Sequence, residues 1–257
     1  DIITDLKETL LKLKGSIFVT NRNVESMILN CATASPQNFN GDLKRVSISR
    51  SAAAFMSNQR YYNKQNGAYS VASGNIITIH NHDFSLGGGN VFNPLHEVKG
   101  AMKAIAAKQP LTFNQEYAIE SIWHEIRHAG AVGWKDIRRK TKSLTDTMEC
   151  INQFCARRSY NQFLSSIGGK AVHRKAIMSG GYGYSGLVRN FDKILEVNNI
   201  SSSNAYAYFN KAILSEPYEN IQDCVITYLA KNGLARKKAE ELIKAIKYSA
   251  KDFDTLL

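Results

Sequence analysis

The chain is poor in cysteine and has no long apolar run. Its four cysteines, Cys31, Cys150, Cys155 and Cys224, are spread over 257 residues with no C-x-x-C spacing. That excludes a disulfide framework of the kind that staples small secreted domains and fits reduced, buried thiols, with a weak lean toward a reducing compartment. No stretch approaches the roughly 20 apolar residues of a transmembrane helix, so no membrane partner is expected. No signal peptide is visible, but the chain opens on Asp1 rather than methionine, so that absence carries no weight. Internal repeats are missing, and so is any recognised nucleic-acid-binding motif. The run Gly87-Gly88-Gly89 lacks the following Lys-Ser/Thr of a P-loop. It reads as a flexible loop.

Acidic residues are also scarce: 22 Asp and Glu against 33 Lys and Arg, a net charge of +11. The excess is concentrated in Lys135, Arg138, Arg139, Lys140, Lys142, Arg157, Arg158, Lys170, Arg174 and Lys175. Such a patch can attract nucleic acid or an acidic protein surface, and the competing reading is an ordinary solvated face. The length suffices for a substantial core. We expect one domain over 1–178, including an N-terminal amphipathic helix at residues 3–14, and a mostly helical subdomain over 179–257.

The positive signal is His124-Glu125-Ile126-Arg127-His128, an H-E-x-x-H pattern. Residues four apart share one helix face, so the two imidazoles can grip one zinc ion, with Glu125 placed to act as general base on a water at the metal. The surrounding residues predict the required helix. It follows Pro110, Thr112 or Asn114 can cap it, Ile119, Ile122, Trp123 and Ile126 form an apolar stripe, and Gly130 and Gly133 weaken it after the second histidine. Glu116, Glu120, His124 and His128 fall on one stripe, with Glu120 a candidate outer partner of His124.

A catalytic zinc needs a third protein ligand. Ala131 and Trp134 stand where a metzincin would carry its glycine and third histidine, so that subclass is excluded. Glu149 is the better candidate, on a second helix predicted over 143–158 with Met148, Ile151, Phe154 and Cys155 facing inward and Ala156 permitting close helix approach. The competing reading is a capping box between Asp146 and Glu149. Other possible ligands are Asp136, Asp146, His173, His80, His82 and Asp83.

Elsewhere, Ser16–Thr20 and Arg45–Ser49 are strand-like, and Ser51–Gln59 is either a helix or an irregular lead. Residues 67–80 read as a β-hairpin turning at Ser73-Gly74-Asn75. This hairpin is our candidate for the strand edge that pairs with an extended substrate. His80 and His82 at its end are expected as surface polar residues, with His80 also a possible substrate contact. A helix is expected within Phe92–Lys108. The glycine–tyrosine stretch Gly180–Gly186 is expected as a mobile connection or lid, in which Tyr182 or Tyr184 is a possible hydrogen-bond donor to a transition-state oxyanion. Residues 190–257 read as mostly helical.

The order hairpin, H-E-x-x-H helix, loop, Glu149 helix resembles the small zincin-like metallopeptidase domains of the gluzincin type. The segment Glu149-Cys-Ile-Asn-Gln-Phe-Cys-Ala156 also looks like the third-ligand helix of the ImmA/IrrE-type peptidases, an acid, then a polar residue, then Phe-x-Ala. Phage head-morphogenesis proteins and secreted polymorphic toxins carry comparable domains. The resemblance covers roughly residues 67–160 and is specific at the metal motif. Arg127 departs from it, because that position is commonly glycine or another small residue in those families. The resemblance implies an α+β fold, with a small antiparallel or mixed sheet packed on the motif helix. It also implies a Zn2+ cofactor on His124, His128 and Glu149, Glu125 as the catalytic base, and hydrolysis of a protein or peptide substrate. The alternative function is a non-catalytic, phage-type structural or nucleic-acid-associated protein with a degenerate or structural metal site. Cytoplasmic, phage-associated and secreted effector settings all fit.

Overall fold

The computed structural model describes residues 18–34, 38, 43–65 and 68–257, with the backbone alone over 60–74. The helix expected at residues 3–14 lies outside them, as does the start of the strand-like Ser16–Thr20, whose described part has no regular structure. The described chain is mixed α+β and predominantly helical.

Helix α1 (Asn21–Ala34) opens with a reciprocal cap, Thr20 Oγ1 accepting from the Asn23 amide at 3.1 Å and Asn23 Oδ1 from the Thr20 amide at 2.8 Å. Its buried face, Val24, Met27, Ile28 and Cys31, has the i, i+3, i+4, i+7 spacing of an amphipathic helix. It packs on β1 (Leu43–Ser49). Strands β2 (Met56–Gln65) and β3 (Ala68–His80) complete a three-stranded sheet in the order β1-β3-β2, with β1 parallel to β3 and Val46 beside Ile77. Ser51–Phe55 is irregular, as one of the two readings of that segment has it.

Two expectations about this sheet are corrected. Ser73-Gly74-Asn75 is not a turn: β3 runs straight through it, and the connection from β2 falls at residues 66–67, outside the described residues. Nor is Ile76–His80 an edge. It is hydrogen-bonded to β1 along its length, and its last amide, that of His80, donates to Phe55 O on the other side at 3.1 Å. Among the described residues the edges are β1 and β2. Every residue from Asn75 to His80 is buried, as a central strand covered on both faces requires. His80 is therefore no surface residue. It is 6% exposed, and burial lowers its pKa and favours the neutral ring.

Strands β4 (Phe84–Ser85) and β5 (Val91–Phe92) form a short hairpin closed by Gly87, Gly88 and Gly89. All three have positive φ, a conformation that glycine alone adopts without strain. Phe84 and Phe92 pack edge-on against Phe55, and Phe92 also meets Tyr117. Asn93 then caps α2 (Pro94–Ala106), which packs on α3 (Phe113–Gly130). Helix α4 (Lys142–Ser166) is longer than predicted, and α5 (Arg174–Gly180) follows.

The remaining helices are α6 (Ser185–Val197), α7 (Ser202–Ser215), α8 (Tyr218–Lys231), α9 (Arg236–Lys244) and α10 (Ala250–Asp254). They share an apolar core built on Phe154, Phe191, Phe209, Ile221, Leu229 and Phe253, all fully buried. By contact the chain divides into two compact units. The first comprises residues up to Tyr61, Val71–Gly130 and Ser159–Ile177, and the second Tyr62–Ser70, Ala131–Arg158 and Met178–Leu257.

Candidate metal centre

Helix α3 begins where its cap predicts. Thr112 Oγ1 accepts from the Gln115 amide at 3.2 Å, and Gln115 Oε1 accepts from the Thr112 amide at 3.0 Å, a reciprocal capping box. From there the helix runs unbroken through the motif to Gly130. Its end is fastened to the sheet. Asn75 on β3, fully buried, donates from Nδ2 to the Ala129 carbonyl at 2.7 Å, taking up one of the carbonyls that a last turn leaves without a helical partner. Asn58 on β2 in turn donates to Asn75 Oδ1. Gly130 is required by close packing: a Cβ there would lie 2.3 Å from the Asn38 carbonyl oxygen.

The middle of α3 is held by a carboxylate. Glu116 is fully buried and accepts three hydrogen bonds: from the Tyr160 hydroxyl at 2.6 Å and from the amides of Val172 and His173, both at 2.9 Å. These tie α3 to α4 and to the segment before α5. Burial first, and then the bond to Glu116, pushes the Tyr160 pKa well above the ordinary tyrosine range, so the phenol stays a donor. Trp123 donates from Nε1 to Ser159 Oγ at 2.8 Å and stacks on Phe163. The predicted early acid Glu116 thus serves as the anchor that sets the axial position of the motif.

On that helix His124 and His128 bring their Nε2 atoms to 3.0 Å of each other, with both rings buried. Two nitrogens at about 2.05 Å from one tetrahedral ion are roughly 3.3 Å apart, so the rings already stand near the spacing a shared cation imposes. Glu149 on α4 completes the set: one ligand atom from each of His124, His128 and Glu149 lies within 4.8 Å of the others. This is the one such group of three or more His, Cys, Asp or Glu residues among the described residues. Two imidazoles and a carboxylate are a donor set suited to zinc with an open fourth position, and the partial exposure of Glu149 leaves an approach. Glu125 is buried beside them, 7% exposed.

The competing reading of Glu149 as a cap fails on geometry. Helix α4 starts at Lys142, and Thr141 caps it, accepting from the Leu144 amide at 3.2 Å. Glu149 is therefore two turns inside. The alternative ligands are engaged elsewhere. Asp136 binds Arg138 at 2.8 Å, Asp146 binds Lys142 at 3.3 Å, Asp83 accepts from Asn93 at 2.9 Å, and the His173 ring meets the Leu111 carbonyl at 2.9 Å. His82 packs its ring against Phe84, and His80 ends the central strand. Tyr182 and Tyr184 lie in the loop between α5 and α6. Tyr184 stands at the start of α6 with φ +55° and is 45% exposed.

The basic run is not one surface. Arg157 is 1% exposed and donates from Nη2 to the carbonyls of Gly181 and Gly183 at 3.0 and 3.3 Å. It fixes the backbone of the glycine–tyrosine loop at two points, where sequence suggests a free lid. Arg158 pairs with Asp192 and lies over Phe154. The exposed part of the run reduces to Lys135, Arg138, Arg139, Lys140, Lys142, Lys170 and Lys175. The cysteines are free thiols. Burial pushes Cys31 up to about 12 and raises Cys150 and Cys224 as well, which leaves them protonated and unreactive. No described helix is long and apolar enough to cross a membrane.

Comparison with known proteins adds no relative: no family model, no curated protein and no solved structure matches this chain.

Proposed function

We propose that the chain is a zinc-dependent metallopeptidase of zincin type, with His124, His128 and Glu149 as metal ligands and Glu125 as the general base. The observation that carries this reading is the convergence of those three side chains beside a buried glutamate on the same helix. Zinc in such a site supplies a Lewis acid for the scissile carbonyl and lowers the pKa of a coordinated water to about 7. Glu125 then has one task in two halves: it accepts the proton of the attacking water and returns it to the leaving amine nitrogen. Glu116, Tyr160 and Asn75 hold the helix that carries these groups in place and touch no reacting atom.

The test separates binding from chemistry. Zinc titrated into the full chain is expected to bind one ion per molecule, and His128→Ala is expected to abolish that binding. Glu125→Gln is expected to keep the ion and lose about 10²- to 10⁴-fold in hydrolysis of fluorescein-labelled casein. A chain that binds no zinc, or a Glu125→Gln variant of full activity, overturns the reading.

A further inference from the structure

Folding brings two further lysines to the basic stretch that precedes α4. Helix α9 ends at Lys244, and Ala245, Ile246 and Lys247 follow it. Together with the first turns of α4 these residues enclose a cleft of about 60 Å3, lined by Ser143, Asp146, Ile243, Lys244, Ile246 and Lys247. All six belong to the second compact unit. Ile243 and Ile246, each 2% exposed, give the cleft a hydrocarbon floor, and the exposed Lys244 and Lys247 give it a cationic rim. Residues 135–140, with Lys135, Arg139 and Lys140 exposed, lead directly into the start of α4.

The carboxylates of this region are already answered. Asp146 has Lys142 Nζ at 3.3 Å, and Asp136 takes both Nε and Nη2 of Arg138, at 2.8 and 3.0 Å. Ser143 Oγ accepts from Gln222 Nε2 at 3.0 Å, which leaves its own hydrogen to donate. Lys135, Arg139, Lys140, Lys244 and Lys247, by contrast, form no ion pair among the described residues. Like charges gathered in this way repel one another, and a polyanion relieves that repulsion. The kind of cation says which polyanion. Carboxylates are gripped best by arginine forks, and the fork of Arg138 is spent on Asp136. Four of the five unpaired cations are lysines, which are depleted from protein–protein interfaces but serve phosphate well as point charges.

We propose that the cleft between α4 and the end of α9, with the basic stretch that leads into it, binds the phosphate backbone of nucleic acid without regard to base sequence. Lys244 and Lys247 hold phosphates at the rim, Ser143 donates a hydrogen bond there, and Arg139 and Lys140 extend the track. The net charge of +11 draws the polyanion in. The cleft contains none of His124, Glu125, His128 and Glu149, so this interaction stands apart from the peptidase reading.

The experiment uses the full chain and fluorescence anisotropy with labelled DNA duplexes of about 20 base pairs and two unrelated sequences, between about 50 and 200 mM salt. A labelled glutamate oligomer serves as the acidic-protein probe. Both duplexes are expected to bind equally, with log affinity falling linearly against log salt. The double variant Lys244→Ala/Lys247→Ala is expected to lose about 10-fold in affinity at low salt and to flatten the slope by roughly 2, about one for each phosphate contact removed. Arg139→Ala/Lys140→Ala is expected to do the same. The control pair Lys103→Ala/Lys211→Ala removes equal charge from exposed positions that line no part of the cleft, and is expected to change affinity less than about 2-fold. An equal loss in the control pair overturns the proposal, because net charge alone would then account for binding. It is likewise overturned by a chain that binds neither duplex at low salt, or by a preference of more than about 10-fold for one sequence. Tighter binding of the glutamate oligomer than of DNA, lost in the cleft variants, overturns it in favour of an acidic protein partner.

Discussion

Helix α3 and the C-terminal helices bury side chains of opposite kinds. Along α3 the covered residues include Glu116, Glu120, His124, Glu125, Arg127 and His128. The core around α6 to α10 is hydrocarbon and aromatic ring, with Phe209 in contact with both Phe191 and Tyr228. Hydrocarbon needs only to be packed, and each large side chain contributes roughly 1.5–3 kcal/mol by leaving water. A buried polar group instead demands a specific partner, and without one it costs 1–3 kcal/mol or more. If α3 merely held the fold together, leucines at those six positions would serve it better. The concentration of acids, imidazoles and a guanidinium on one helix is what the proposed site calls for, and the C-terminal core has the make-up of a support.

The sharpest way to break that contrast is to empty the polar interior. Glu116→Ala leaves a buried phenol and two part-buried amides without their acceptor, and at roughly 1–3 kcal/mol per orphaned donor, less for amides that water can reach, the loss is expected to be about 2–4 kcal/mol. Urea unfolding measures it. Adding Tyr160→Phe removes one of the stranded donors, so the double variant is expected to recover about 1 kcal/mol. A loss below about 1 kcal/mol for Glu116→Ala alone would mean that water replaces the carboxylate and that the anchor is dispensable.

The matching change on the apolar side is Phe209→Ala. Phe209 is fully buried against Phe191 and Tyr228, and its truncation is expected to cost about 3–4 kcal/mol. The two changes differ in what they do to metal. Glu116→Ala is expected to weaken zinc binding because it loosens the helix bearing both histidines, whereas Phe209→Ala is expected to lower stability with zinc affinity little altered, since Phe209 belongs to the apolar core and hydrogen-bonds nothing through its side chain. Zinc titration of both variants under native conditions checks this. A smaller effect is expected at the helix end: Gly130→Ala sets a methyl 2.3 Å from the Asn38 oxygen and should cost about 1–3 kcal/mol by overpacking.

The site is more legible in the sequence than the sheet, for a physical reason. Residues four apart on a helix share a face, so the pairing of His124 with His128 can be read directly, and Glu149, which converges on them, is reached from its place on a second predicted helix in a gluzincin-like order. Strand pairing is not local. Ser73-Gly74-Asn75 has the composition of a turn, yet Asn75 belongs to a strand because its amide has two distant uses, the Ala129 carbonyl and Asn58, and neither is visible in the residues around it. The same limit applies to β3, which looks like a hairpin arm and is the central strand only because Leu43–Ser49 pairs with it from far upstream. Arg157 misleads in another way. A run of basic residues reads as solvated surface, but a residue inside a helix is buried or exposed according to what its face meets, and Arg157 meets the carbonyls of a loop over twenty residues on. Helix α1 is the opposite case. Its cap and its Val24, Met27, Ile28, Cys31 spacing are readable signals, absent from the expectations because the stretch is polar on average.

The smallest effect concerns Arg158 and Asp192, an ion pair with its charges 3.0 Å apart. Burial raises the Asp192 pKa despite the opposing pull of Arg158, and burial likewise lowers that of Arg158. Desolvation thus outweighs attraction on both partners. A carboxyl group whose pKa is higher folded than unfolded contributes stability below its unfolded pKa and loses it as pH rises through the folded one. Near neutrality the charge at Asp192 therefore gives the fold little. Asp192→Asn, which keeps the shape and the acceptor, is expected to change stability by less than about 1 kcal/mol there. Across the acid range the variant should fall behind the wild type, because it lacks the group that becomes favourable when protonated. Urea unfolding of both chains from the acid range to neutrality measures the difference. If the variant instead loses most at neutral pH and catches up in acid, the attraction of Arg158 dominates, and this pair belongs with the answered charges of α3 rather than with the support.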